Sequence, residues 1–356
     1  MPRKLPDLVL LAVFILVTAL PLVSPLHAPP QFWDQNNPPQ TGFPAAQLVK
    51  AAIDFPPAFS AYFEDHHLLH QQLVDALQSV RFHLLHETVF PNVLIGKEDW
   101  LFYTGEKNIA DFECTSPFTN KELQVIRSRL LDWNGQLAVR GIEFYIVVAP
   151  NKEAIYPQYL PDSIKPGVKA CRIDQVMQEL QTTQLAVLDL RAPMQTAARS
   201  AQVYHRTDTH WNPSGALLAT REILSLLKQD FPQLTLPSFN DYQEEIQPFS
   251  GDLAAFLPKD ERFVEKSANL VPILPLRAKL EEGTDRSIES SIPGTALPRA
   301  LIFRDSFSDA LIPFMSEHFS RVVYAHSFTV DLDLVDREKP DIVLFEIAQR
   351  YLTVLR

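Results

Sequence analysis

Cysteine is almost missing: Cys114 and Cys171 are the only two in 356 residues. Neither lies in a C-x-x-C or C-x-x-H spacing, so a structural zinc site and a disulfide-dense scaffold are both excluded. Positive charge is also scarce, with 32 Lys and Arg against 43 Asp and Glu and a formal net charge of −11. Nucleic-acid binding relies on clustered cations that displace phosphate counterions, so no nucleic-acid partner is expected. The phosphate-cradling loops G-x-G-x-x-G and G-x-x-x-x-G-K-[ST] do not occur, which removes support for a Rossmann or P-loop nucleotide site. No repeat of fixed period is present. What remains, 46% apolar and 21% charged, is ordinary composition for one large globular domain or two smaller ones.

The long uncharged run stands at the start. Arg3 and Lys4 precede LVLLAVFILVTALPLVSPL, Leu8 to Leu26. A helix crossing the hydrocarbon core needs about 20 apolar residues, and a basic flank keeps the N-terminus in the cytoplasm. Residues 1–27 are therefore expected to be a single-pass signal anchor, with everything after Leu26 outside the cytoplasm. The alternative is a cleaved signal peptide ending near Ala28, although Pro29 is a poor residue to follow a cleavage site. Either way the body is exported, and an oxidising compartment lets Cys114 and Cys171 pair. Such a bridge would contribute roughly 4 kcal/mol in the chain-entropy model. Two separate buried thiols are the other reading.

Residues 28–57, with Pro29, Pro30, Pro38 and Pro39, read as an extended linker, and residues 58–356 as the folded domain. Phe63, Leu68, Leu69, Leu73, Leu77, Val80 and Leu84 recur at helical spacing, as in one or two amphipathic helices. Short strands follow at Val93–Ile95 and Trp100–Tyr103. Thr119 to Glu122 fits a capping box, Leu123, Ile126, Leu130, Trp133 and Leu137 share a helical face, and Gly141 stands where that helix stops. Ile142 to Ala149 is an apolar run suited to a strand buried on both faces. The alternation continues through a helix at Ile173–Leu180, a strand at Ala186–Leu190 and a helix at Pro213–Leu227. After an irregular section from Pro232 to Pro298 come a strand at Ala300–Phe303, a helix at Ser308–His318, and strands at Val322–Tyr324 and Ile342–Phe345. Repeated helix and buried-strand pairs predict a three-layer α/β/α fold around a parallel sheet.

In such sheets, sites form at the carboxyl ends of strands. Ser306, in Phe303-Arg304-Asp305-Ser306-Phe307, follows one strand directly and precedes a helix. There its hydroxyl is lifted to the sheet edge and nearby amides can meet an oxyanion, although a plain N-cap serine is the simplest reading. Asp208 and His210 lie two apart in Arg206-Thr207-Asp208-Thr209-His210-Trp211-Asn212. A turn there lets the carboxylate take Nδ1–H and leaves Nε2 free to accept a serine proton, while a solvated loop is the bland alternative.

Together, D-T-H-W-N before a small-residue helix and R-D-S-F after a late buried strand resemble the SGNH hydrolase-like family of alginate O-acetyltransferases, the AlgJ/AlgX-like group. The segments Ile95-Gly96-Lys97-Glu98-Asp99-Trp100-Leu101-Phe102-Tyr103, Val148-Ala149-Pro150-Asn151-Lys152-Glu153 and Tyr156-Pro157 match in the same order. The resemblance implies an SGNH-hydrolase-like, flavodoxin-like sheet domain that transfers acetyl groups to hydroxyls of an extracellular polysaccharide through an acetyl-serine. It makes Ser306 the nucleophile, His210 its general base and Asp208 the residue orienting that histidine, with no metal or organic cofactor. It further implies a polysaccharide acceptor, and an acetyl donor delivered by a multispanning membrane acyltransferase partner. A carbohydrate acetylesterase with the same triad, or a noncatalytic polysaccharide-binding or assembly protein, are the alternatives.

Two departures from the wider SGNH pattern stand out. Arg304 occupies the place of the usual glycine before Asp-Ser, and the nucleophile follows Asp and His in the chain instead of preceding them. The Ser306 amide is then the first oxyanion candidate. Asn151 and Lys152 after the central strand, Arg304 and Trp211 complete the oxyanion or substrate candidates, Arg304 reading equally as a structural salt-bridge partner. Ser250-Gly251-Asp252-Leu253 either lines the cleft or simply turns, and the section from Pro232 to Pro298 is long enough to act as a lid. His66, His67, His70, His83 and His86 read as a solvated helix face, not as a metal site.

Overall fold

Val89 to Tyr103 alternates apolar strands with tight turns, and it folds as a small antiparallel sheet of β1 (Val89–Phe90), β2 (Val93–Ile95) and β3 (Leu101–Tyr103). The computed structural model describes residues 79–82, 84, 87–283 and 287–356. The expected anchor, the proline-rich linker, almost all of the amphipathic segment before His86 and the five histidines within it lie outside these residues. Among the described residues no helix is long and apolar enough to cross a membrane.

A short helix α1 (Asn108–Phe112) leads to α2 (Asn120–Ala138). The Thr119 capping box is formed in both directions, with Glu122 N–H donating to Thr119 Oγ1 and Thr119 N–H donating to the Glu122 carboxylate. The five predicted apolar residues of α2 are its buried face, each worth roughly 1.5–3 kcal/mol when fully removed from water. Gly141 takes a left-handed φ of +71° just beyond the helix, a conformation that costs glycine nothing.

Strand β4 (Glu143–Ala149) explains its nearly continuous apolar run. Tyr145, Val147 and Ala149 enter one core, while Phe144, Ile146 and Val148 enter another. The two-residue alternation persists, but no polar face exists to reveal it. The turn of helix α3 (Lys152–Ile155), helix α4 (Arg172–Leu180), strand β5 (Ala186–Asp189) and helices α5 (Arg191–Ala197) and α6 (Pro213–Leu227) follow.

The section from Pro232 to Pro298 is not irregular, which corrects the sequence reading. It holds an antiparallel ribbon of β6 (Tyr242–Phe249) and β7 (Glu265–Pro272), then β8 (Lys279–Glu282) and β9 (Ile288–Ser291). β6 and β8 are exposed along most of their length, so polar residues fill both faces and the alternation that marks a strand is missing. β10 (Arg299–Arg304) then precedes Ser306. The single helix expected at Ser308–His318 is broken into a 3-10 turn at Ser306–Ala310, one α-turn α7 (Ile312–Met315) and a 3-10 turn at Ser316–His318. Pro313 accounts for the break, because it has no N–H to continue the preceding turn. β11 (Arg321–His326), α8 (Leu332–Glu338) and β12 (Ile342–Ala348) complete the fold.

The main sheet has seven strands in the order β5-β4-β12-β10-β11-β9-β8. The first five are parallel, and β9 and β8 add an antiparallel edge. One core packs α5, α6 and α7 on one face, and the other packs α2, α4 and α8 on the opposite face, so the three-layer arrangement is observed. Counted from β10, the five parallel strands β10, β11, β12, β4 and β5 lie in space in the order 2-1-3-4-5, the doubly-wound order of flavodoxin. The sheet is therefore a circular permutation of that arrangement. This accounts for the late position of Ser306, since β10 plays the part of a first strand while standing near the C-terminus.

Candidate active site

β4, β12 and β10 are neighbours whose carboxyl ends share one edge of the sheet, and the segments leaving them meet the loop before α6. Asp305 caps the turn after β10: its carboxylate accepts from Phe307 N–H at 2.8 Å and from Ala348 N–H at 2.7 Å. That fixes the backbone on both sides of Ser306 and ties it to the end of β12. Beneath this turn Glu346 is fully buried, accepting from Ser308 Oγ at 2.8 Å and from Asp305 N–H at 3.2 Å. Burial, and then the neighbouring Asp305 charge, push its carboxyl well above the usual range.

The loop carrying Asp208 and His210 is built from inside. Lys152 is buried, and its Nζ donates to the carbonyls of His205, Arg206 and Asp208. Burial brings its pKa down to about 8. Glu265 of β7 accepts from the Arg206 and Thr207 amides and from Thr207 Oγ1 at 2.7–2.9 Å. Leu101 N–H of β3 donates to the Arg206 carbonyl at 2.9 Å. Gly251 packs so closely on Asp208 that an added Cβ would collide with the Asp208 side chain, and Gly215 meets Trp211 and the Val203 carbonyl in the same way. These two glycines are required by close approach.

On this frame the three residues of the sequence reading meet. Ser306 Oγ lies 2.9 Å from His210 Nε2, and His210 Nδ1 lies 2.7 Å from Asp208 Oδ1. Asp208 Oδ1 also accepts from His210 N–H, and Oδ2 accepts from Asp252 N–H, both at 2.9 Å. Burial opposes ionisation of Asp208, but the His210 ring and these amides overcome it and hold the carboxyl well below the ordinary carboxylate range. An ionised carboxylate only accepts, so Nδ1 must carry a proton; neutral imidazole then presents Nε2 as an acceptor to the serine hydroxyl. The arrangement can withdraw the Ser306 proton and hold the resulting imidazolium against a carboxylate.

Trp211 is buried, and its Nε1–H donates to the Phe307 carbonyl at 3.1 Å, joining the histidine loop to the serine turn. It is a brace between them and does not line the cleft. Asn151 is buried as well; its Nδ2 donates to Asn108, its Oδ1 accepts from Arg350 N–H, and its amide donates to Gln349. Lys152 is committed to the three carbonyls. Arg304 is buried, donating to the Asp305 carbonyl and bonded to Asp309, so it faces the turn and not a polymer. Cys114 and Cys171 form a disulfide joining the chain after α1 to the start of α4.

The cleft at the triad encloses about 440 Å³ and is lined by His210, Ser306, Thr209, Asp252, Tyr103, Arg350, Tyr351 and the apolar Leu253, Ala255 and Phe256. Asp252 is thus a cleft residue as well as a turn: its carboxylate accepts from Thr209 N–H and Oγ1, both at 2.7 Å, and stands 3.8 Å from His210 Nδ1. Burial, followed by repulsion from Asp208, raises its pKa. Asp208, His210 and Asp252 form the one group among the described residues with metal-ligand spacing, yet the oxygens and ring nitrogen that would ligate are already engaged by one another and by Thr209. Sequence reasoning missed Tyr103, Thr209, Arg350 and Tyr351. The strand-end rule, applied after Phe345, would have reached Arg350 and Tyr351; Tyr103 closes the matched segment of residues 95–103, but nothing in that segment sets it at the cleft.

Comparison with known proteins agrees with this fold. The family model for the ALGX group, described as an SGNH hydrolase-like domain of acetyltransferase AlgX, matches residues 93–326. A protein of Pseudomonas syringae pv. tomato named "Probable alginate O-acetylase AlgJ" is 30% identical over 219 residues, covering 61% of this chain and 51% of that one. Its namesake in Azotobacter vinelandii is 26% identical over 289 residues, covering 74% and 70%. The match thus spans about half the length of the first of these relatives. The solved structure of Bacillus cereus PatB1 superposes with a TM-score of 0.58 at 16% identity, over 73% of this chain and 96% of that one, a likeness of fold. By the family match across most of its described fold, the chain belongs to the SGNH hydrolase-like domain family of acetyltransferase AlgX.

Proposed function

We propose that this chain is an O-acetyltransferase that carries an acetyl group on Ser306 and passes it to a hydroxyl of an exported polysaccharide. The observation that carries the reading is the unbroken hydrogen-bond relay from Ser306 Oγ through His210 to Asp208 at the mouth of an open cleft. Ser306 Oγ attacks the carbonyl carbon of an acetyl ester as His210 Nε2 takes the hydroxyl proton. The ester C–O bond breaks, the departing oxygen takes that proton, and acetyl-Ser306 remains. A sugar hydroxyl then gives its proton to His210 and attacks the acetyl-serine carbonyl; the serine oxygen leaves and recovers the proton.

The names of the AlgJ relatives support alginate or a similar exopolysaccharide as the acceptor. The uncharged N-terminal run supports a periplasmic domain on an inner-membrane anchor, and the disulfide supports an oxidising compartment. One anchor segment has no means of moving acetyl groups across a bilayer, so a multispanning acyltransferase partner would supply the donor.

The test is intact-mass spectrometry of the chain after incubation with a chromogenic acetyl ester, with and without a panel of oligosaccharides, beside Ser306→Ala. Acetyl release that requires Ser306, with the label recovered on sugar, is the expected result. Release to water alone in the presence of every acceptor would make the chain an esterase. Absence of both turnover and acyl-serine would leave a binding or assembly protein.

A further inference from the structure

Among the described residues, the nearest contacts of the Arg350 guanidinium in the cleft are aromatic rings and not carboxylates. Arg350 is only 7% exposed, yet among the described residues no carboxylate lies within ion-pair distance of its guanidinium and no protein oxygen accepts from it. Its buried Nε has no hydrogen-bond partner. Leaving a buried guanidinium unpaired is unfavourable, so a fold keeps one only where something else bears the cost. Part of the compensation is visible. The guanidinium carbon lies 5.3 Å from the Tyr103 ring centroid, 5.1 Å from that of Phe307 and 5.0 Å from that of Tyr351, three cation–π contacts that hold its plane. Its backbone N–H is pinned by Asn151 Oδ1 at 3.2 Å.

The Phe307 ring that Arg350 covers also lies 4.8 Å from the His210 ring. The guanidinium and the imidazole are therefore arranged about one side chain, immediately after Ser306, and both open into the same cleft. The strand order explains the meeting, because β12 is the direct neighbour of β10 and Arg350 leaves the end of β12 where Ser306 leaves the end of β10. The Ser306 amide likewise donates to no protein acceptor among the described residues.

We propose that Arg350 is a catalytic residue, an oxyanion donor that acts with the Ser306 N–H on the acyl carbonyl oxygen. The inference rests on the acyl-transfer reading above. When Ser306 Oγ bonds to the carbonyl carbon, the electron pair of the C=O π bond moves onto oxygen, and that negative charge is the missing counter-charge of Arg350. When the ester C–O bond breaks the pair returns, and the same exchange accompanies deacylation. The charge is unpaired in the resting cleft and paired only in the tetrahedral state, which is the differential interaction that accelerates a chemical step.

The experiment uses the whole chain and a neutral aryl acetate, so that no anion is present on either substrate or acceptor. Wild type must first form acyl-Ser306; its failure to do so would overturn the acyl-transfer reading and not the placement of Arg350. Given that, Arg350→Met is expected to lower kcat about 100-fold or more while KM changes less than threefold. Arg350→Ala is expected to recover at least tenfold of its lost kcat when guanidinium or methylguanidinium ion is added at millimolar concentration. A merely structural arginine gives no such rescue, and thermal melting identifies a variant that has failed to fold. A kcat within fivefold of wild type in Arg350→Met, or a folded Arg350→Ala that guanidinium does not rescue, overturns the proposal. A loss confined to KM for the neutral ester, with kcat unchanged, would overturn the proposal and make Arg350 a substrate-binding residue.

Discussion

Trp211→Phe tests whether the relay depends on a brace outside the cleft. The indole joins the two halves of the site by one hydrogen bond to the Phe307 carbonyl and by edge-on packing against the Phe307 ring, 5.0 Å between centroids at 85°. Phenylalanine keeps most of the apolar contact but removes the donor, so the Phe307 carbonyl loses its bond to the histidine loop and keeps only the one within its own 3-10 turn. The lost hydrogen bond costs about 0.5–1.5 kcal/mol, and the smaller ring leaves a void worth about 1 kcal/mol more. At roughly 2–4 °C per kcal/mol for a domain of this size, the melting midpoint should fall by about 3–10 °C. The same loss frees the serine turn to shift against the histidine loop, and a displacement near 1 Å is enough to cost about 100-fold in rate. We expect kcat for a chromogenic acetyl ester to fall about 10- to 100-fold at a temperature well below the variant's midpoint, with KM nearly constant. A lower midpoint accompanied by kcat within twofold of wild type would falsify the brace and reduce Trp211 to core packing.

Asp208→Asn retains the shape of the carboxylate but removes its charge, and should lower kcat by about 10³–10⁴ in steady-state ester hydrolysis; a loss smaller than tenfold would remove Asp208 from the relay. Replacing Cys114 and Cys171 together by serine opens a bridge spanning a separation of 57 residues, which should cost about 4 kcal/mol in denaturant titration. Reductant should then destabilise wild type but leave the double variant unchanged. Glu153 is buried, and burial raises its pKa to about 7. The native state therefore keeps a proton that the unfolded chain releases near pH 4.5, so this group's contribution to stability declines between about pH 4.5 and 7. Glu153→Gln preserves an acceptor for Asn108 Nδ2, which donates to Glu153 Oε1 at 2.6 Å in wild type. It should raise stability by about 1–3 kcal/mol at pH 8 and by nothing near pH 4, and a gain that is the same at both pH values would contradict the assignment.

Local chemistry made much of the fold legible. The Thr119 capping box, the buried face of α2 and the apolar run of β4 are all set by neighbours within a few turns of the chain. β6 and β8 were not legible, because a strand exposed on both faces carries no two-residue alternation to read. The helix after Ser306 was overextended because apolar spacing continued past Pro313, whose missing N–H breaks it. At the site, Asp208 and His210 stood out because two positions of one tight turn carry complementary groups. Lys152 and Asn151 follow a strand end and so fit the pattern of substrate-facing residues, yet both are buried, Lys152 on three backbone carbonyls and Asn151 between Asn108 and the Arg350 amide; the strand-end rule locates the edge of a site without saying which side chains turn inward.

By itself the sequence determined the α/β class, the family resemblance, the turn that sets Asp208 beside His210 and the placing of Ser306 just after a buried strand. All of these depend on residues close together in the chain. Tertiary structure decided the rest. The insertion of β12 between β4 and β10 brings Arg350 to Ser306, the β7 carboxylate of Glu265 fixes the histidine loop, and the crossing of two remote loops sets Ser306 Oγ 2.9 Å from His210 Nε2. No local pattern encodes these contacts, because they follow from the order in which the strands pair, and that order is settled only when both faces of the sheet are buried at once.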